Sequence, residues 1–444
     1  MQQISSKTRY IPIGLMLFAL FFGAGNLIFP ASMGQNAGEN IWWAVLGFCV
    51  TGVGLPLLAV MAVAYSGCGF LGKIASRVSP AYGLFYTVVC YMAIGPCFAL
   101  PRTGTVAFEI AVRPFLPQTS DGMAMPIFLL VFFCVALWFA VSPSKLVDRI
   151  GKVLTPLLVL SLAAFIVQSF LEPMGAMPPA GEAYATPGKA VIQGILDGYN
   201  TLDAIAALIF ASLVIRAVND NGIKKPSAVS EEVLKSGVIA GALLALIYIF
   251  IAKVGAESVA AIGMKDTGAP ILAESAKILF GHNGAVLLSV MVILACLTTA
   301  IGLISCTAAY FHALTRKMSY TAWAVIFTIV SYLIGLFGLK TIIVSTIPVL
   351  MFLYPLCVAL VLLVFLHNRF GGARCVYVWT IGLTFIMALI NGLETAQVAM
   401  PGFEAFLKSW VPLHSYGLGW ISFAVVGFVI GLLQKAFTQP KAAA

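Results

Sequence analysis

The residues that invite chemistry in this chain sit inside apolar sequence. The stretch GILDGYNTLDAIAALIF (Gly194–Phe210) places Asp197, Gly198, Asn200, Thr201 and Asp203 within seven residues. Apolar residues follow Asp203 to Ile215, and no Lys or Arg lies in the run to pair with it. A buried carboxylate is costly unless it is paired or hydrogen-bonded, so Asp203 reads as a functional or site-orienting acid. Asp197, nearer the end of the run, reads as a solvent-exposed cap. A second stretch, FFGAGNLIFP (Phe21–Pro30), carries two glycines, an asparagine and a proline where a helix would want none of them. A third, ACLTTAIGLISCTAA (Ala295–Ala309), holds adjacent Thr298 and Thr299, then Ser305 and Thr307. Threonine hydroxyls in a span often bond only to their own helix. Together with unwound backbone carbonyls they would also suit a hard cation, supplying oxygen ligands without a net charge to bury. No phosphate loop, metal-ligand cluster, nucleophile elbow or basic–aromatic face occurs, and the four histidines, His282, His312, His367 and His414, are expected in loops and incidental.

The elements that must position these residues follow from composition. Of 444 residues 61% are hydrophobic and 9% charged, against about 25% charged in soluble domains. Mean hydropathy is +1.03. This is an integral membrane protein, and long runs without strict alternation indicate helices rather than a barrel. A span with its connection takes roughly 30–40 residues, so the chain fits about a dozen helices and leaves no room for a separate soluble domain. Spans are expected at about 11–33, 41–66, 80–101, 125–142, 150–171, 190–217, 235–254, 284–308, 320–337, 341–366, 376–397 and 416–434. The first run is longer than the roughly 7–15 residues of a signal-peptide core and lacks a cleavage site, so it is expected to stay as a span. The nine cysteines are scattered through apolar runs and read as packing residues rather than a disulfide or zinc framework.

Formal charge is +9, and 17 of the 25 Lys and Arg fall on one side when both termini are placed together. The positive-inside rule makes that side cytoplasmic, so the basic excess reports topology and not nucleic acid. The expected location is the inner (plasma) membrane. The eight basic residues assigned to the outer connections include Arg102, which follows Pro101 where the third span is expected to end.

A broken span survives in hydrocarbon only around a cavity or ligand, because each unsatisfied backbone group costs several kcal/mol. FFGAGNLIFP predicts one half-helix ending near Phe22, an unwound linker, and a second half-helix starting near Asn26 with Pro30 in its first turn. The sixth span breaks at GYNTLD. The two breaks lie five spans apart, and paired interruptions at corresponding positions point to a transporter with inverted repeats and a midplane site. The expected organisation is one transport domain over 1–444, with repeats at about 11–171 and 190–366 and two further helices at about 376–434. Gly268–Ala285 reads as a short helix over the outer face. Pro96, Pro101 and Arg102 either shape the pocket or end the third span, and Pro348 and Pro355 offer a hinge in the tenth. An intramembrane enzyme would need a base, nucleophile or metal cluster where only Asp203 stands, and a channel would need a pore ring supplied by oligomers; nothing implies an oligomer.

The stretches GLMLFALFFGAGNLIFPASMGQNAG, TGVGLPLLAVMAVAYSG, IGPCFALPRTGTVAFE and LDGYNTLDAIAALIF resemble the bacterial branched-chain amino acid:cation symporters, across essentially the whole chain. That family belongs to the amino acid–polyamine–cation superfamily. The resemblance implies an all-α leucine-transporter-like fold with 5+5 inverted repeats, and uptake of leucine, isoleucine and valine coupled to Na+, or to H+ in some members, with no other cofactor. It also implies roles for particular residues. The carbonyls of Ala19 and Phe22, with Ala295 and the hydroxyls of Thr298 and Thr299, would form a Na+ site. Asn26, the Phe21 carbonyl and Thr201 would form a second cation site. Amides near Ala24 and Gly25 would hold the substrate carboxylate at a helix N-terminus, and carbonyls around Tyr199, Asn200 and Thr201 would receive its ammonium group. A proton-coupled porter using Asp203 is the alternative. This chain has one residue fewer between the Asn and the Pro than remote sodium-coupled relatives.

Overall fold

A computed structural model describes residues 10–116, 121–141, 155–398 and 402–438, and these are helical with short connections. In chain order the main helices are α1 (Tyr10–Phe21), α2 (Ala24–Ala37), α3 (Ile41–Cys49), α4 (Leu55–Tyr65), α5 (Leu71–Ala75), α6 (Pro80–Met92) and α7 (Ala99–Ala111). There follow α8 (Asp121–Ala140), α9 (Thr155–Leu171), α10 (Pro187–Tyr199), α11 (Asp203–Asp220), α12 (Pro226–Ile262) and α13 (Gly268–Thr315). The last are α14 (Tyr320–Gly335), α15 (Leu339–Leu366), α16 (Arg374–Thr395), α17 (Phe403–Trp410) and α18 (Trp420–Thr438).

A helix or helix pair overlaps each expected span. Among the described residues eight helical stretches are long and apolar enough to cross a membrane alone, or nine with the bent pair α10–α11 counted as one span. The start of the fifth span and the basic residues Lys145, Arg149 and Lys152 lie outside the described residues. Large side chains such as Trp138, Leu171, Phe337 and Phe437 are each more than two-thirds exposed. That would be anomalous in water and is ordinary facing lipid.

Both breaks exist, and both are tighter than the sequence suggests. Between α1 and α2 only Phe22 and Gly23 leave the helix, and the Phe22 amide still closes α1 on the Phe18 carbonyl at 2.7 Å. Because α2 starts at Ala24 and not Asn26, Pro30 lies in its second turn rather than its first. Between α10 and α11 three residues intervene and the axis turns by 46°. The turn is made by Leu202, whose φ of 69° puts it in the left-handed region, a conformation that costs a non-glycine residue roughly 1–2 kcal/mol.

Other expectations shift. The third span does not end at Pro101: it widens into a π-turn over Ala93–Cys97, kinks at Gly95 and continues as α7 to Ala111. Arg102 is therefore inside the bundle and 3% exposed, not in an outer connection. The helix expected at Gly268–Ala285 is fused to the eighth span as α13, with a kink at Gly281, where φ is 63°. The tenth span runs through both prolines as one helix. His282 and His312 fall within α13, and His414 is buried, 3.1 Å from Glu394. Asp197 is not an exposed cap: it is half-buried and accepts from the Tyr184 hydroxyl at 2.5 Å and the Gln193 amide at 3.0 Å. Burial first, then the adjacent Asp197 carboxylate, raises the Tyr184 hydroxyl above its usual range and keeps it a donor.

Candidate functional site

The two breaks meet. From α2, Asn26 donates its side-chain amide to Asp203 Oδ2 at 2.5 Å and also to the Tyr248 hydroxyl of α12. Tyr248 in turn donates to the same Asp203 oxygen at 3.1 Å. All three are buried, so a carboxylate expensive to place in the membrane is met by two donors from two other helices. The Asn26 side-chain Oδ1 accepts from the Gly23 amide at 3.1 Å, which replaces one bond lost at the break. Thr201 donates to the Gly198 carbonyl at 2.9 Å and accepts from the Asp203 amide at 3.4 Å.

The carbonyls freed at the second break have a partner that the charge count assigns to an outer connection, and of its two readings from sequence the pocket-shaping one holds. Arg102 of α7 donates Nη1 to the Asn200 carbonyl at 2.8 Å and Nη2 to the Thr201 carbonyl at 3.2 Å. Its guanidinium also lies 5.2 Å from the Phe29 ring centroid, within cation–π range. Gly25 suits this close crossing: a Cβ there would come within 2.8 Å of Arg102 Nη2 and 3.2 Å of the Thr201 Cα. Tyr199 lies outside this contact, its ring stacked on Tyr354 at 4.2 Å.

At the first break the eighth span supplies hydroxyls. Thr298 donates to the carbonyl of Ala19 at 3.0 Å or of Ala295 at 2.9 Å. Thr299 faces the Leu20 carbonyl at 3.2 Å. These residues place carbonyl and hydroxyl oxygens from α1 and α13 within hydrogen-bond distance of one another. Phe22 packs its ring on Phe18 at 5.4 Å.

Between the breaks lies a cavity of about 20 Å³, lined by Phe21, Ala24, Gly25, Asn26, Thr201, Asp203, Arg102, Thr299 and the apolar Leu20, Ile94, Phe210 and Leu303. That is room for about one water molecule. A larger cavity of about 810 Å³ begins one turn further along the same helices, at Tyr91, Leu213 and Cys306, and extends to Lys73, Arg216 and His312.

A narrow pocket with polar and apolar walls where two interrupted spans cross, inside a bundle whose outer face is apolar, is the build of a membrane transporter. Solved structures agree on the fold: the nucleobase–cation symporter Mhp1 in a closed conformation aligns with a TM-score of 0.62 at 12% identity, covering 97% of this chain and 93% of that one. MhsT in complex with L-phenylalanine aligns at 0.58 and 16% identity, covering 99% of each chain. Both are leucine-transporter-like folds. A family profile described as "Branched-chain amino acid transport protein" matches residues 6–438. The branched-chain amino acid permease BraB of Bacillus subtilis (strain 168) is 41% identical over 430 residues, 97% of this chain and 96% of its own length. The permease BrnQ of the same organism is 39% identical over 432 residues, 97% of this chain and 98% of its own. The chain belongs to the branched-chain amino acid transport protein family, whose members are named for carrying a substrate across a membrane and not for an enzymic reaction.

Proposed function

We propose that this protein is a secondary symporter that takes up leucine, isoleucine and valine with Na+ by alternating access, and that it lies in the plasma membrane with both termini cytoplasmic. The observation that carries the substrate class is the cavity at the crossed breaks. It sets helix-start amides, freed carbonyls and Asp203 beside a wall of Leu20, Ile94, Phe210 and Leu303, which suits an amino acid with an apolar side chain. Sodium is supported by the clustered oxygens of Ala19, Ala295, Thr298 and the neighbouring Thr299, which carry no net charge. Alternating access is supported by the narrowness of the small cavity next to a wide one. The wide cavity is lined by Lys73, Arg216 and His312, and the positive-inside rule assigns these residues to the cytoplasmic side. One cation moving through 100 mV supplies about 2.3 kcal/mol, roughly fiftyfold accumulation of a neutral zwitterion.

Proton coupling is the second reading, favoured by Asp203 standing as a buried carboxylate at the site. Labelled leucine uptake into proteoliposomes, with sodium and pH gradients imposed separately, decides between them. Sodium alone is expected to drive uptake; uptake driven by the pH gradient alone would transfer the role to Asp203. Thr298→Ala and Thr299→Ala are expected to raise the sodium concentration for half-maximal uptake about tenfold, by loss of roughly one ligand interaction. Unchanged sodium dependence in both would remove the Na+ assignment.

A further inference from the structure

Arg102 is a permanent cation buried in the membrane domain, where such a group is expensive and marks function. Its contacts answer only part of its chemistry. Nη1 and Nη2 are spent on two neutral backbone carbonyls. The Nε–H is buried and has no acceptor among the described residues. Asp203 lines the same cavity, yet no ion pair joins the two among the described residues, and Asn26 and Tyr248 both donate to its Oδ2. The same cavity wall includes Ala24 and Gly25, the first two residues of α2, whose amides have no acceptor within their own helix. The pocket thus holds a guanidinium with one unanswered N–H beside two helix-start amides that have no acceptor among the described residues, a set that suits an anion with more than one oxygen.

We propose that Arg102 is the ligand of the substrate carboxylate, parked on the Asn200 and Thr201 carbonyls until an amino acid takes its place there. This inference rests on the amino acid reading above. On binding, the three N–H groups of the substrate ammonium replace the guanidinium on the two carbonyls. The guanidinium turns to the substrate carboxylate, which also accepts from the Ala24 and Gly25 amides. The orphaned Nε–H and one Nη–H form the fork that a carboxylate accepts bidentately. The ligand class is therefore α-amino acids with a free carboxylate. Amines and amides with the same side chain bring a group for the carbonyls but leave the guanidinium displaced and unanswered.

The test compares L-leucine with L-leucinamide as competitors of labelled leucine on the purified full-length protein in lipid nanodiscs. The assay is run at about pH 6.5, where both α-amines are protonated. Wild-type protein is expected to prefer leucine by about a hundredfold, as two charge-assisted bonds are lost with the amide. R102Q is expected to bind leucine at least tenfold more weakly and to reduce the preference to about threefold. R102K keeps the charge but not the fork, and is expected to weaken leucine about tenfold with an intermediate preference. A folded R102Q with the wild-type preference overturns the proposal. Where R102Q does not fold, wild-type affinity and preference in R102K overturn it. Equal binding of leucine and leucinamide by the wild type also overturns it. Wild-type protein that binds no leucine removes the transport reading itself, a failure separate from that of Arg102.

Discussion

Tyr248→Phe is the sharpest probe of the site, since it deletes one oxygen and leaves the ring, which sits fully buried and edge-on to Phe48 at 5.0 Å. The lost hydroxyl donates to Asp203 at 3.1 Å and accepts from Asn26. A hydrogen bond to a charged group contributes about 1.5–3 kcal/mol, so Vmax/KM for leucine should fall roughly ten- to hundredfold if the triad sets the geometry of the break. Asp203→Ala removes the other end of the same bond and should cost at least as much. The two losses should not add, because the second substitution has little left to break. A double-mutant cycle on initial uptake rates in proteoliposomes is expected to give a coupling of about 1–3 kcal/mol between Tyr248 and Asp203. Additivity to within about 0.5 kcal/mol would refute the claim that the hydroxyl acts through the carboxylate.

Gly25→Ala is expected to leave expression near the wild-type level and to reduce leucine uptake at least about tenfold. The added methyl would push the Thr201 backbone by a few tenths of an ångström and displace the Arg102 guanidinium, and a misplacement of about 1 Å at a site costs roughly a hundredfold. Ala309 is exposed in the wide cavity; a cysteine placed there should react with an impermeant thiol reagent applied from the cytoplasmic face, and reaction only from the outer face would invert the proposed topology. Tyr184→Phe removes the donor to Asp197 and should lower stability by about 1–2 kcal/mol, read as a lower melting temperature, with the KM for leucine unchanged.

What the sequence could reveal about this fold was set by contrast. Gly23, Asn26, Pro30 and Asp203 stand out because each is a poor choice in a hydrocarbon-facing helix, so both breaks were legible from composition alone. The extents of the breaks were not, because whether Ala24 and Gly25 join α2 depends on the Asn26 side chain closing back on the Gly23 amide. Arg102 was left between two readings by its setting. A Pro-Arg pair after an apolar run reads as the end of a span, and only the kink at Gly95, which redirects the chain, lets α7 continue inward with Arg102 on it. Tyr248 gave no signal at all, since a tyrosine in an apolar run is ordinary and its partners are 45 and 222 residues away. Asp197 was misjudged for a similar reason: Tyr184 lies before the start of α10, beyond any helical period that would relate the two.

The narrowness of the pocket at the crossed breaks bears on which amino acids the protein will accept. At about 20 Å³ it admits no side chain until the helices part, and the work of parting them is the same whatever arrives. Recovery of that work depends on how much hydrocarbon the newcomer buries, about 0.8 kcal/mol per methylene. Alanine, three carbons short of leucine, would fall behind by roughly 2.4 kcal/mol, or about fiftyfold. A cavity that starts this narrow thus sets a minimum size for its cargo, and small amino acids are turned away without any residue that repels them.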